Sequence, residues 1–337
     1  ETLSAGFSIA TSSETELGTL STNILMTTDR DAPALPDILN LNRVWAPNIY
    51  VGIGNWTIGQ QGLAFTSGAC YGETAQTGGA PCPLGIAPAI QYSGGGGGMD
   101  YRIQLVRGAA NLDADGLDDI GGNNISGSLP DLQARISTGM GPINFSMGMQ
   151  LRQYGYDNNG GTPNTAVGQG ASDEAIGWGV FPEVSIPVGG MDKLYAGVAY
   201  TVGGRATNIN HSLWTGGRGD MGTVDPATGD IDNTTTYSVH AYFTHWWNDT
   251  TRSTFHAHGA NSNPNDTSTG ADGTTPPLTK WRTVSGNIVW SLAPRVTTGV
   301  GVSYHSALFR GDNLNTGATG DDANTAVEGN WKITVSY

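Results

Sequence analysis

The residues of this chain most able to do chemistry are its few charges set into otherwise apolar, alternating segments. Arg102 and Gln104 interleave with Tyr101, Ile103 and Leu105, and Arg135 stands against Leu132, Ala134 and Ile136. Successive side chains of a strand point to opposite faces, so each of these arginines shares a face with polar neighbours. The same parity puts Arg152, Lys332, Asp100, Asp131 and Glu183 on polar faces. Arg43 belongs with them less securely, because Pro47 interrupts its strand. Cations facing acids across a gap set up a transverse field, which orients polar solutes and excludes apolar ones. This is chemistry of sorting, without bond making. Hydration of a wide lumen is the plainer use of the same charges, and the two are compatible.

Other constellations carry less. Asp113, Asp115 and Asp119 offer oxygen ligands at even steps around Gly116, as a calcium loop would, but the bidentate Glu and flanking helices of a complete EF-hand are missing. A solvated acidic loop explains them as well, and no metal is expected. His256 and His258 share a face at strand spacing and His245 lies nearby; with no clear third ligand, hydration of a polar face explains them better than a metal site. No GxSxG, Walker or HExxH pattern occurs, so neither an enzyme nor a cofactor is expected. Cys70 and Cys82, the two cysteines of the chain, lie close together in a loop-like stretch and predict a disulfide in an oxidising compartment.

The elements that would position these residues are strands. The 337 residues include 51 glycines and only 13% charged residues, with a net charge of −14 and a mean hydropathy of −0.24. The absence of a basic footprint argues against a nucleic-acid partner. No run approaches the roughly 18 apolar residues of a membrane helix, and no signal peptide is visible. Alternation dominates instead: Phe145, Met147, Met149 and Leu151 oppose Ser146, Gly148, Gln150 and Arg152, and Trp331, Ile333, Val335 and Tyr337 oppose Lys332, Thr334 and Ser336. Such segments run to about ten residues, the length of a tilted membrane strand. Aromatic residues near their ends (Tyr101, Trp178, Tyr200, Trp290, Tyr304, Trp331, Tyr337) read as interfacial girdles.

The connections alternate short and long. Short turns are expected at 12–15, 54–55, 140–142, 189–192, 248–250 and 293–295, and long polar loops between them. Outer-membrane barrels show this rhythm, with short periplasmic turns and longer outer loops. About fifteen strands are visible. Since single-chain bacterial barrels close with even numbers, the sequence predicts an all-β, transmembrane antiparallel β-barrel of about sixteen strands over 1–337, its first strand missing. Loop 66–88 carries Glu73 and both cysteines, and is expected to fold inward and narrow the lumen.

Several stretches resemble the trimeric general porins, and within them the alphaproteobacterial porin family. Thr15-Glu16-Leu17-Gly18-Thr19-Leu20 is similar to that family's turn from second to third strand, and Trp56-Thr57-Ile58-Gly59-Gln60-Gln61 to the strand before its inward loop. Gly177-Trp178-Gly179-Val180 with Asp192-Lys193-Leu194-Tyr195 resembles a central hairpin. His245-Trp246-Trp247 with Arg252-Ser253, and Ile288-Val289-Trp290-Ser291 with 300–304, resemble later ones. Gln60 and Gln61 depart from the family, which usually has an arginine there. The resemblance implies sixteen strands, a homotrimer, an inward third loop and passive uptake. The expected function is therefore a bacterial outer-membrane porin for passive diffusion of small hydrophilic solutes and ions, in contact with lipid and lipopolysaccharide. The alternative is a substrate-selective uptake channel for carboxylates or sugars.

Overall fold

The computed structural model describes residues 3–30, 44–66, 86–106, 125–126, 129–157, 172–203, 222–224, 230–263, 278–309 and 322–335. Long alternating runs become strands: β1 (Leu3–Thr15), β2 (Gly18–Arg30), β3 (Val44–Ile53), β4 (Trp56–Gly62), β5 (Ile86–Gly96), β6 (Met99–Val106), β7 (Ile125–Ser126), β8 (Asp131–Met140) and β9 (Ile143–Asp157). The second half continues with β10 (Ser172–Gly189), β11 (Asp192–Val202), β12 (Gly222–Val224), β13 (Ile231–Asn233), β14 (Thr235–Asn248), β15 (Thr251–Asn263), β16 (Leu278–Ala293), β17 (Val296–Phe309) and β18 (Asp322–Val335).

Fifteen strands run in one antiparallel path, β1-β2-β3-β4-β5-β6-β8-β9-β10-β11-β14-β15-β16-β17-β18. The two-residue β7 joins the sheet as a sixteenth member on β9, and β12 pairs with β13 apart from it. The expected closed sixteen-stranded barrel is not what forms. Among the described residues β1 and β18 are not paired, so the sheet is open with these two strands as its edges. The physical reason is parity. In an antiparallel path of fifteen strands the first and last run in the same direction, and an antiparallel ladder cannot join them.

Two-residue turns link neighbours at one end of the sheet. Gly97 and Gly98 between β5 and β6 both have positive φ (63° and 83°), as the favoured tight hairpin turn requires. The first turn falls at residues 16–17 and not at 12–15, where the chain runs straight through β1 in register with β2. Polar side chains on both faces of that stretch gave no apolar signal to mark it as strand.

The sheet is inverted relative to a water-soluble protein. Ile103, Leu105, Val198, Val239, Phe255, Val284 and Val302 are exposed, whereas Gln104, Gln133, Thr201, Ser238, His240, Thr283 and Ser303 are buried on the opposite face. Soluble domains bury the first kind and expose the second. An apolar exterior over a polar interior is the arrangement for strands in hydrocarbon. No helix among the described residues is long and apolar enough to cross a membrane, which has no bearing on strands.

The apolar face yields a direct test. Val239→Arg, in the middle of β14, is expected to destabilise the vesicle-inserted protein by about 2–4 kcal/mol, read as a lower urea midpoint; an unchanged midpoint would place this face away from lipid.

Candidate functional site

The chain leaves β4 at Gly62 and turns onto the polar wall, where residues 62–66 are fastened to β6 and β8. The Gln104 amide works in both directions: its Oε1 accepts from the Ala64 backbone N–H at 2.5 Å, and its Nε2 donates to the Gly62 carbonyl at 2.9 Å and to Gln91 Oε1 at 2.7 Å. Gln133 Oε1 accepts from the Phe65 N–H at 3.0 Å. Arg102 Nη2 donates to the Leu63 carbonyl at 3.1 Å, and Arg135 donates to the Thr66 carbonyl. Within the segment, the Thr66 hydroxyl donates to Leu63 O at 2.6 Å. Each contact satisfies a backbone group that left the ladder when the strand ended.

A glycine makes room for the segment. A Cβ on Gly179 would lie 3.1 Å from Phe65 Cζ and 2.6 Å from Thr201, whereas one on Gly148 would make ordinary contact, 3.5 Å from both the Ala64 carbonyl and the Phe65 ring. Phe65 thereby reaches the wall and its ring stands 6.1 Å from that of Phe181.

Beside this segment sits a charge hub. Glu183, 2% exposed on β10, forms an ion pair with Arg135 through Oε2. Ser146 donates to the same oxygen at 3.3 Å and also accepts from Arg135 at 2.5 Å. Tyr195 donates to Oε1, and His240 Nε2 lies 3.9 Å from that atom. Gly197 allows the approach, since a Cβ there would fall 2.6 Å from the His240 ring and 3.1 Å from Glu183 Cγ. Nearer the long-connection end, Arg152 pairs with Asp131 at 3.1 Å, both buried.

Strand register extends the hub into a row. Ser137 is opposite Ser146, Ser146 opposite Glu183, Glu183 opposite Gly197, and Gly197 opposite His240. The row continues through His258, Thr283 and His305 to Ala326. Thr283 and His305 are hydrogen-bonded at 3.0 Å, and His305 Nε2 is 3.4 Å from Glu328.

Of the residues singled out from sequence, Arg102, Arg135 and Glu183 are thus brought together, and Arg152 stands on the same wall with Asp131. Lys332 lies on the edge strand β18, away from this cluster. Arg43, Glu73, Cys70, Cys82, Asp113, Asp115 and Asp119 lie outside the described residues, as does most of loop 66–88. His245 is not with His256 and His258: its ring is bonded to Asp192 at 2.7 Å beside the β10–β11 turn. Among the described residues no three His, Cys, Asp or Glu are grouped to hold a metal. Sequence reasoning missed His240, His305 and Gly197. Parity alone would have put the two histidines on the polar face, but their alignment with Glu183 emerges only from the register.

A polar wall inside an apolar-skinned antiparallel sheet, with a segment tacked inward after the fourth strand, defines the class: the chain has a porin-like fold. Among solved structures it is similar to the outer membrane channel DcaP of Acinetobacter baumannii, with a TM-score of 0.73 at 18% identity over 98% of this chain and 84% of that one. OmpF of Salmonella typhi aligns at a TM-score of 0.57 with 11% identity, over 99% and 89% of the two chains. The anion-selective porin of Comamonas acidovorans gives 0.53 with 11% identity, over 98% and 89%. No family model and no curated protein matches the sequence.

The hub predicts an asymmetric response to mutation. Glu183→Ala strands a largely buried Arg135 and is expected to cost about 3–5 kcal/mol in denaturant unfolding. Arg135→Met combined with Glu183→Leu should restore much of that loss; equal losses in the two proteins would mean the pair is not the source.

Proposed function

We propose that the protein is a channel of the bacterial outer membrane that takes up small hydrophilic solutes selectively and passively, without cofactor or catalysis. The observation that carries this reading is the fastening of residues 62–66 to Gln104, Gln133, Arg102 and Arg135 on the polar wall. A general diffusion pore, the broader expectation from sequence, needs only hydrated charges around a wide lumen. Here the charges are committed to fixed partners at one level, which gives a defined chemical shape for a solute to fit. Likeness in fold to the outer membrane channel DcaP supports the channel part of this reading.

The sign of selection follows from the hub. Arg102 and Arg135 against Glu183 leave one positive charge, while Arg152 and Asp131 cancel. This level of the wall therefore favours anions, although the whole chain carries −14 and Glu73 on the facing loop works against it. In this proposal loop 66–88 continues inward from the anchored segment as the constriction, with Glu73 on it and a Cys70–Cys82 disulfide holding it. Arg43 and Lys332 add lumen charge. The protein acts as a homotrimer in contact with lipid and lipopolysaccharide, and binds no nucleic acid.

Single-channel recording in a planar bilayer under a salt gradient tests this. Discrete current steps with a reversal potential on the anion side are expected, and Arg102→Glu should move that potential toward the cation side. Absence of current from folded protein would overturn the channel. Cys70→Ser with Cys82→Ser should raise open-state current noise; an unchanged record would place the loop outside the conducting path.

A further inference from the structure

A cavity of about 310 Å³ opens in the polar wall on the turn side of the Glu183 row, at the small end of the range for ligand sites. Arg135 and Glu183 form its upper edge. Ser137, Asn144, Ser185 and Tyr195 contribute to its lining, with Asp100 and Lys193 at its flanks. We infer that this cavity is a binding subsite for a neutral polyhydroxylated solute, a sugar or polyol of mono- to disaccharide size; the inference rests on the channel reading above.

The charges decide the class. Arg135 and Glu183 neutralise each other, and the hydroxyl of Tyr195 already occupies the second oxygen of Glu183. Asp100 and Lys193 remain. They stand on β6 and β11, four strand steps apart in the sheet order, or about 19 Å along the wall at the usual strand spacing. They are of opposite sign, so the lining as a whole carries no net charge for a simple anion or cation to answer.

Between them the wall offers neutral groups. Ser137, Asn144 and Ser185 line the cavity, and their side chains make no hydrogen bond to a described residue. Hydroxyl and amide groups donate and accept equally, which suits a ligand made of hydroxyls. Tyr195 adds a fixed aromatic ring, stacked on Tyr242 with centroids 5.0 Å apart and planes 10° from parallel. A solute there would lie beside the constriction that selects it.

The test adds maltose, a neutral disaccharide, to the conducting channel from each side in turn, with sodium succinate as the charged comparison. Maltose is expected to block the current saturably. The half-saturating concentration should rise about tenfold on Ser137→Ala with Ser185→Ala, the loss of two modest hydrogen bonds. Asn144→Ala at the rim should shift it in the same direction, so the conclusion does not hang on one variant's folding. Salt current with only a linear, viscosity-like fall in maltose would overturn the subsite and leave the channel standing. Saturable block by succinate but not maltose would overturn the ligand class. Folded protein that carries no salt current would overturn the channel reading, and the subsite with it.

Discussion

The inner wall is organised around one buried carboxylate. Removing a carboxylate from water costs several kcal/mol even after relaxation, so Glu183 is tolerable only because its oxygens are satisfied. Arg135 and Ser146 meet one and Tyr195 the other. Those partners come from β8, β9 and β11, on both sides of β10. The hub therefore fixes the relative positions of four strands at one level. Arg135 carries the consequence outward, because the guanidinium that pairs with Glu183 also holds the Thr66 carbonyl. Arg102 has no carboxylate partner of its own among the described contacts and is directed at the Leu63 carbonyl. One acid thus orders both the wall and the segment laid against it.

The hub can exist because the sheet is inverted. In a soluble protein a buried face is apolar, and a cluster of Arg, Glu, His and Tyr would be excluded from it. Here the apolar residues have gone to the outside. The inside is left to polar side chains that satisfy one another and the turned-in chain. Period-two alternation does this without any long apolar run, which is why mean hydropathy is negative. The antiparallel ladder satisfies the backbone between neighbours, and β1 and β18 are the places where that ladder stops.

Alternation made much of this legible. The faces of β6, β8, β9 and β10 followed from sequence, and so did the common face of Arg102, Arg135 and Glu183. What sequence left open concerns level and closure. Parity assigns a side chain to a face but not to a height along the wall, so His240, Gly197 and His305 could not be aligned with Glu183 before the register was known. The backbone contacts of residues 62–66 were equally hidden, since a glutamine that bridges a loop looks no different from one that is merely hydrated. Closure was over-read. Counting strands and assuming an even total supplied a ring, whereas the hydrogen-bonded path is open. The first turn was misplaced because Ser12 to Thr15 are polar on both faces, and there pairing with β2, invisible to composition, decides that the strand continues.

In the proposed channel, selectivity would follow from anchoring more than from the number of charges. A free arginine in a wide aqueous lumen is screened within about 8–10 Å and acts on passing ions of every shape. Arg135 is held by Glu183, Ser146 and the Thr66 carbonyl, and much of its field is spent locally. Its effect on a solute is then geometric. It fixes where the wall ends, where the turned-in segment begins and which hydroxyls are left unpaired beside them. In the proposed channel the residual charge of Arg102 would set a mild preference among ions. Discrimination among neutral solutes in such a channel requires groups that stay where they are, and the glycines at 179 and 197 serve this by letting Phe65 and His240 close against the wall. A larger neutral residue at either would push the polar network apart while leaving the net charge of the wall unchanged. In the proposed channel, ion preference and solute discrimination would therefore be separable, the first carried by the charge of Arg102 and the second by the packing around Glu183.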